Sequence, residues 1–79
     1  MELHLIMLEV LKNRWYGKLD DLLEEFTYNG YEEEFEVVEV SRWAIEVACE
    51  EDGRDVHYIM ELGGTERTII INKVDRLVI

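Results

Sequence analysis

The sequence predicts an α+β fold, in which two N-terminal helices pack on one face of a four- to five-stranded antiparallel β-meander. Apolar residues recur at helical spacing as far as Phe26, and after Gly30 the period shortens to two, as in strands. Glycine-containing turn sequences then separate the apolar runs of the second half. A chain of 79 residues has room for one core, so residues 1–79 are expected to form a single domain.

Two helices are expected, at about residues 2–14 and 18–27, with a break near Gly17. One continuous helix is an alternative, because a helical glycine costs only about 1 kcal/mol. A strand at Leu3–Val10 is another, since a short apolar run does not distinguish helix from strand. Asn29-Gly30 predicts the end of the second helix. The residues at helical spacing form the expected buried stripe: Leu3, Ile6, Met7, Val10, Leu11, Trp15, Leu19, Leu22, Leu23 and Phe26.

A central hairpin is predicted with a defined register. Residues 42–50 alternate in polarity, and Asp52-Gly53 is a favoured type I′ turn. A shift of one residue would move the apolar side chains to the wrong face, so the pairing is strongly specified. The expected apolar pairs are Cys49 with Val56, Val47 with Tyr58, Ile45 with Met60, and Trp43 with Leu62.

The loop after this hairpin is predicted from charge. A two-residue loop at Gly63-Gly64 would place Glu61 opposite Glu66, a like-charge pair. A three-residue loop ending at Thr65 places Glu61 opposite Arg67 instead and is therefore expected.

The outer strands are predicted from shorter sequence patterns. Residues 34–40 form a strand whose alternation shifts at Val37-Val38, which predicts a bulge. The β-branched run in Thr68–Asn72 predicts a fourth strand. A turn at Asn72-Lys73 and a short last strand at Val74–Ile79 complete the sheet.

Charge is the feature that bears most on function. The formal net charge is −11, which should repel nucleic acids and anionic membranes and attract a basic protein. The segment Leu19–Ser41, here called the acidic segment, contains no Lys or Arg. Its acids are Asp20, Asp21, Glu24, Glu25, Glu32, Glu33, Glu34, Glu36 and Glu39.

Catalytic and metal-binding motifs are missing from the sequence. It contains no P-loop, G-x-G-x-x-G or H-E-x-x-H pattern. His4 and His57 have no Cys or His at ligand spacing, and Ser41, the single serine, has no recognisable triad partners. Cys49 pairs with an apolar residue and is interpreted as a small core side chain. The sequence therefore predicts a non-enzymatic protein with no cofactor and no metal ligands.

The stretch LHLIMLEVLKNRWYGKLDDLLEEF resembles the first two helices of a winged helix-turn-helix domain. Such a domain next needs a recognition helix with basic and polar residues at its start. Tyr31-Glu32-Glu33-Glu34 occupies that place, so direct DNA binding is not expected.

The acidic segment is the candidate binding surface. Helical neighbours four residues apart lie about 5–6 Å apart, and alternate strand residues such as Glu34 and Glu36 lie about 6.6 Å apart. Rows of carboxylates at these spacings could stand in for a phosphate track, although most charge runs are solvated faces. The candidate partner-binding residues are Asp20, Asp21, Glu24, Glu25, Glu32, Glu33, Glu34 and Glu36, with Tyr28 and Tyr31 as aromatic anchors.

In type, a short acidic chain with N-terminal helices and an antiparallel sheet is similar to phage-encoded inhibitors. Uracil-DNA glycosylase inhibitors, anti-restriction proteins and several anti-CRISPR proteins are acidic and occupy nucleic-acid sites on their targets. This likeness implies a partner that is a basic, nucleic-acid-binding protein. No shared motif carries it, so no residue role is transferred.

An interaction module is the alternative function. Ile59, Val38, Val40 and either Ile69 or Ile71 could form an apolar patch on the sheet face away from the helices. An adaptor, antitoxin or immunity protein could bind through that patch, and homodimerisation could cover it. The single cysteine and the lack of a signal-peptide pattern favour a cytoplasmic location for either function.

Overall fold

Two short helices and a five-stranded antiparallel sheet form the fold, which confirms the predicted class. The computed structural model describes residues 3–79. The sheet order is β1-β5-β4-β3-β2, so β2 to β5 form a meander and β1 adds to its far edge. The elements are α1 (Leu3–Glu9), β1 (Trp15–Tyr16), α2 (Leu19–Tyr28), a 3-10 turn η1 (Tyr31–Glu33), β2 (Glu36–Val40), β3 (Ala44–Glu51), β4 (Arg54–Gly64) and β5 (Ile69–Val78).

Helix α1 is shorter than expected, and its predicted end at residue 14 is wrong. The helix ends at Glu9, and the following turn closes with 3-10-type bonds such as Leu11 N to Leu8 O. Asn13 has a positive φ of 64°, and its amide donates to Ile71 O. This turn directs the chain into β1, which rules out both a continuous helix and a strand at Leu3–Val10. Residue 2, the expected start, lies outside the described range.

The predicted apolar stripe is also wrong for α1 and the turn after it. Leu8 and Leu11 are buried, whereas the stripe members Leu3, Ile6, Val10 and Trp15 are more than 40% exposed. For Val10 and Trp15 the cause is the early helix end, because residues beyond Glu9 no longer follow the helical period. Leu3 and Ile6 lie within α1, which instead packs through Leu8. In α2 the stripe is correct, since Leu22 and Phe26 are buried.

The central hairpin has the predicted register. Cys49 lies opposite Val56, and the pairing continues through Val47–Tyr58 and Ile45–Met60. Asp52 and Gly53 both have positive φ, 53° and 76°, as a type I′ turn requires. The predicted bulge in β2 is confirmed, because the register shifts between Val37 and Glu39.

Trp43 departs from the prediction, since it is not a core residue. Ser41 N donates to Ala44 O, so Arg42 and Trp43 are the two central residues of the β2–β3 turn. The indole is 51% exposed and lies 5.0 Å from the Arg42 guanidinium. Leu62 N donates to Trp43 O at 2.7 Å, so the predicted pairing with Leu62 is present in the backbone. The prediction is wrong for the side chain, because a turn residue does not have to follow the face alternation of β3.

The second loop differs from the prediction as well. β4 continues through Gly64 and the loop is residues 65–68, so Glu61 pairs with Lys73 rather than Arg67. Residues 69–78 form a single strand, and the expected turn at Asn72-Lys73 is a β-bulge. The register shift there leaves Asn72 as the extra residue, because Leu62 pairs with Ile71 and Glu61 with Lys73.

The core lies between the helices and the inner face of the sheet, the face that the helices cover. Tyr58, fully buried in β4, is near its centre and packs edge-on against Phe35. Seven further inner-face residues are buried with it: Ile45, Val47, Val56, Met60, Leu62, Ile69 and Ile71. No helix within residues 3–79 has the length and apolar character needed to cross a bilayer.

Candidate functional site

Helix α2 presents four of the candidate carboxylates. Leu22 and Phe26 point into the core at a spacing of four, so Glu24 lies on the opposite side of the helix and Glu25 lies beside the buried stripe. The Asp21 carboxylate accepts a hydrogen bond of 2.7 Å from Lys18 N at the helix start, and Glu25 accepts one of 2.9 Å from Asn29 Nδ2. Asp20, Asp21 and Glu24 are exposed and Glu25 is half-buried.

Acids in the first turn of a helix are favoured by its dipole, which gives Asp20 and Asp21 a structural role. Glu24 and Glu25 lie beyond that turn and lack this benefit. Glu24 also lies one helical turn from Asp20, and like charges at this spacing oppose helix formation.

The turn η1 presents the next acids. Gly30, with φ of 73°, ends α2 and redirects the chain so that Glu32 and Glu33 face solvent. Tyr31 packs edge-on against Phe26 and Phe35, with ring centroids 5.7 and 6.5 Å apart. The two proposed anchors thus differ, because Tyr31 completes the core while Tyr28 is 89% exposed.

Glu34 does not lie on a strand, contrary to the spacing argument that paired it with Glu36. It follows η1, and its Oε2 lies 3.2 Å from His4 Nε2. Glu36 is the first residue of β2 and is exposed. The two carboxylates therefore belong to different local structures, and the expected 6.6 Å row is wrong for this pair.

The outer face of the sheet, the face away from the helices, carries Glu36 and six acids that the sequence analysis did not select. The register places seven carboxylates there together with two basic side chains, His57 and Lys73. The acids are Glu36, Glu39, Glu46, Glu50, Asp55, Glu61 and Asp75. The predicted hairpin register already contained this signal, since it fixed the residues that share a face.

On the outer face, two pairs of acids lie directly opposite each other on neighbouring strands. Glu39 lies opposite Glu46, and Glu50 lies opposite Asp55. Such pairs destabilise a sheet. Only part of this repulsion is relieved locally: His57 Nδ1 contacts Glu46 Oε2, and Lys73 Nζ lies 3.5 Å from Asp75 Oδ1.

One open groove joins the acidic segment to the hairpin. It is lined by Ala48, Cys49 and the buried Phe35, and by six carboxylate side chains from the two regions. These acids are Glu32, Glu33, Glu34, Glu36, Glu50 and Asp55.

The candidate acids differ in whether they have a partner. Asp21, Glu25 and Glu34 accept the hydrogen bonds or make the ion pair described above. The remaining five make no side-chain hydrogen bond or ion pair with any of residues 3–79. These unpartnered acids are Asp20, Glu24, Glu32, Glu33 and Glu36.

The expected apolar patch on the outer face is not formed. Ile69 and Ile71 are both buried on the inner face, and Val40 pairs with Ile45 on that same side. Ile59 does lie on the outer face, but its ladder neighbours are Glu46 and Asp75. The surface proposed for an apolar partner or a homodimer is therefore largely acidic.

A mixed polar cluster lies at the end of the central hairpin. His4 Nδ1 lies 3.1 Å from Glu51 Oε1 and 3.7 Å from Cys49 Sγ. Tyr58 donates to Glu51 Oε1 at 2.7 Å, and Arg76 donates to Oε2 through Nε and Nη2 at 3.0 and 2.9 Å. The cluster fastens α1 to the sheet.

Three groups in this cluster have shifted pKa values. Burial first, and then the hydrogen bond to Glu51, raise the pKa of the Tyr58 hydroxyl. Burial acts to raise the pKa of Glu51, but hydrogen bonds from Tyr58, Arg76 and His4 outweigh it, so the pKa is lowered. Burial first, and then the Glu51 charge, raise the pKa of the Cys49 thiol. Sequence reasoning missed the cluster because His4 lies more than forty residues before its partners, which spacing alone does not bring together.

Comparisons with protein-family models, with curated proteins and with solved structures found no match to this chain.

Proposed function

We propose that this protein is a small cytoplasmic inhibitor that occupies the basic nucleic-acid-binding groove of a target protein. Its exposed carboxylates would take the places of nucleic-acid phosphates. The observation that carries the proposal is a set of closely spaced acids that have no side-chain partner among residues 3–79. Selection for folding alone does not favour like charges at adjacent positions.

Two groups of residues would make the contact. The first is the acidic segment, with its unpartnered Asp20, Glu24, Glu32, Glu33 and Glu36. The second is the outer face, which meets the acidic segment in the groove at Glu50 and Asp55. Arg and Lys side chains that normally hold phosphates bind carboxylates in the same way.

The dimensions set a limit on the target groove. The molecule measures 38 × 22 × 21 Å along its principal axes. Its long axis is close to one turn of B-DNA, about 34–36 Å. The inhibitor would therefore fill a binding site of roughly one helical turn or less.

Tyr28 is the aromatic residue best placed to add specificity. Its side chain is 89% exposed and lines a shallow groove with Asp21, Glu24 and Glu25. A rigid aromatic ring beside acids suits a site where Arg side chains stack and pair at once.

Competition with nucleic acid tests this proposal. The immobilised full-length protein would capture partners from its native host, and a short duplex or single-stranded oligonucleotide would then be added. The proposal expects the captured partner to bind that oligonucleotide and to be released by it. A partner that stays bound at a saturating concentration of both oligonucleotides would contradict the proposal.

A further inference from the structure

Three donor atoms converge at the end of the central hairpin. His4 Nδ1, Cys49 Sγ and Glu51 Oε1 all lie within 4.8 Å of one another, and the three residues are half-buried. They come from α1 and from alternate residues of β3, which share the inner face of the sheet. This cluster of imidazole, thiol and carboxylate is distinct from the unpartnered acids of the proposed inhibitor surface.

The spacing of these atoms matches the edges of a tetrahedral zinc site. With Zn–S near 2.3 Å and Zn–N and Zn–O of 2.0–2.2 Å, tetrahedral angles place sulfur and nitrogen about 3.5 Å apart and nitrogen and oxygen about 3.4 Å apart. The structure has 3.7 Å for Cys49 Sγ to His4 Nδ1 and 3.1 Å for His4 Nδ1 to Glu51 Oε1. These two distances are within a few tenths of an ångström of the tetrahedral values, and the ligand atoms of Cys49 and Glu51 lie within 4.8 Å of each other.

The residues around the cluster orient these donors. His4 Nε2 lies 3.2 Å from the Glu34 carboxylate, which fixes the ring with Nδ1 towards Cys49 and Glu51. A carboxylate on the far nitrogen of a metal-binding histidine is a usual feature of zinc sites. Arg76 holds Glu51 through Oε2, while Oε1 accepts the Tyr58 hydroxyl at 2.7 Å and lies 3.1 Å from His4 Nδ1.

We propose that His4 Nδ1, Cys49 Sγ and Glu51 Oε1 bind one zinc ion, with water as the fourth ligand. Nitrogen, sulfur and oxygen donors together suit zinc, whereas calcium and magnesium take oxygen ligands. The neutral imidazole binds the ion through the lone pair of Nδ1, and the thiol proton of Cys49 leaves to solvent. The ion would fasten α1, a helix of seven residues, to the central hairpin.

The alternative for the same atoms is a metal-free ion-pair cluster. In that case the two ring nitrogens of His4 would contact only Glu34 and Glu51, and the thiol would stay protonated. The two states differ in one property that can be observed directly, namely whether Cys49 becomes a thiolate ligand.

Cobalt titration of the metal-free, full-length protein distinguishes them. The proposal expects a thiolate-to-cobalt charge-transfer band that saturates at one equivalent and disappears when zinc is added. No such band, or a band that excess magnesium abolishes, would overturn it. Because this readout uses the wild-type protein, it does not depend on whether a variant folds.

Variants then identify the ligands by zinc affinity. Cys49→Ser and His4→Gln should each weaken zinc binding by at least tenfold. Glu34→Gln, which alters only the orientation of the ring, should weaken it by about 10- to 100-fold. The matched control is His57→Gln, since His57 pairs with Glu46 on the outer face and should have no effect. Equal zinc affinity in Cys49→Ser and wild type would also overturn the proposal.

Discussion

The two faces of the sheet have opposite roles, although the same strands build both. Alternate residues of β3 and β4 point inwards and include Val47, Tyr58 and Met60, all fully buried. Their immediate neighbours point outwards, and among them Glu50 lies opposite Asp55. The inner face supplies the apolar burial that stabilises the fold, while the outer face carries repulsion that folding does not need. This difference is the basis for the proposal that the outer acids contact another molecule.

The largest expected effect is on the inner face. Ile45→Ala removes a fully buried side chain from a central strand and should lower the free energy of unfolding by about 2–5 kcal/mol. Urea denaturation monitored by circular dichroism measures this change. Trp43→Ala is the control, because Trp43 is a half-exposed turn residue and should cost only about 0.5–1 kcal/mol. Equal losses in the two variants would contradict the assignment of the faces.

The polar cluster at the hairpin end should give the next largest effect. Glu51→Gln removes the charged acceptor of Tyr58 and Arg76 and should lower the free energy of unfolding at pH 7 by about 1.5–3 kcal/mol. Because the pKa of Glu51 is lowered by folding, its stabilisation is present above the ordinary carboxyl pKa and is lost as pH falls through the folded value. The gap between wild type and Glu51→Gln should therefore close in acid, and a constant gap from pH 7 to strong acid would contradict this account.

A pair of outer-face variants sharpens the comparison further. Glu39→Gln removes one member of a like-charge pair. Glu61→Gln instead removes a carboxylate that lies opposite a positive charge, that of Lys73, in the strand pairing. Both changes remove one negative charge, and both residues lie on the outer face. Stability should rise by about 0.2–1 kcal/mol for Glu39→Gln relative to Glu61→Gln, as thermal unfolding would measure. The reverse order would mean that cross-strand repulsion is not the relevant cost.

No change at all is expected in one assay. The purified protein should not shift the mobility of DNA or RNA at low salt, because its charge of −11 opposes any contact with phosphates. A clear shift would contradict the proposed inhibitor function, since nucleic acid would then be the ligand rather than the competitor.

The parts of the fold that could be predicted from the sequence are those determined by residues close together in the chain. The Asp52-Gly53 turn and the alternation beside it determined the central register without knowledge of anything distant. Prediction failed where the chain leaves a regular period, as at Trp43 in its turn and at Asn72 in its bulge. It also failed for α1, whose end depends on a hydrogen bond from Asn13 to a strand almost sixty residues later.

The residues of the candidate site also divide into those that could be selected from the sequence and those that required the fold. The acids of α2 and η1 could be selected from the sequence because they are adjacent in it. The outer-face acids required the full register, and the cluster around His4 required the tertiary fold. Glu34 shows the limit most clearly, since it reads as one more acid of the run but contacts His4 in the structure.

The central claim, that the unpartnered acids form the binding surface, is tested most directly by two double variants of equal charge. Glu24→Gln with Glu33→Gln neutralises two acids that have no partner within residues 3–79. Glu9→Gln with Glu66→Gln neutralises two that pair with Lys12 and Arg42. The measurement is the association rate with the captured partner at fixed ionic strength. The account predicts that only the first variant associates more slowly than wild type, and an equal rate for all three proteins would contradict it.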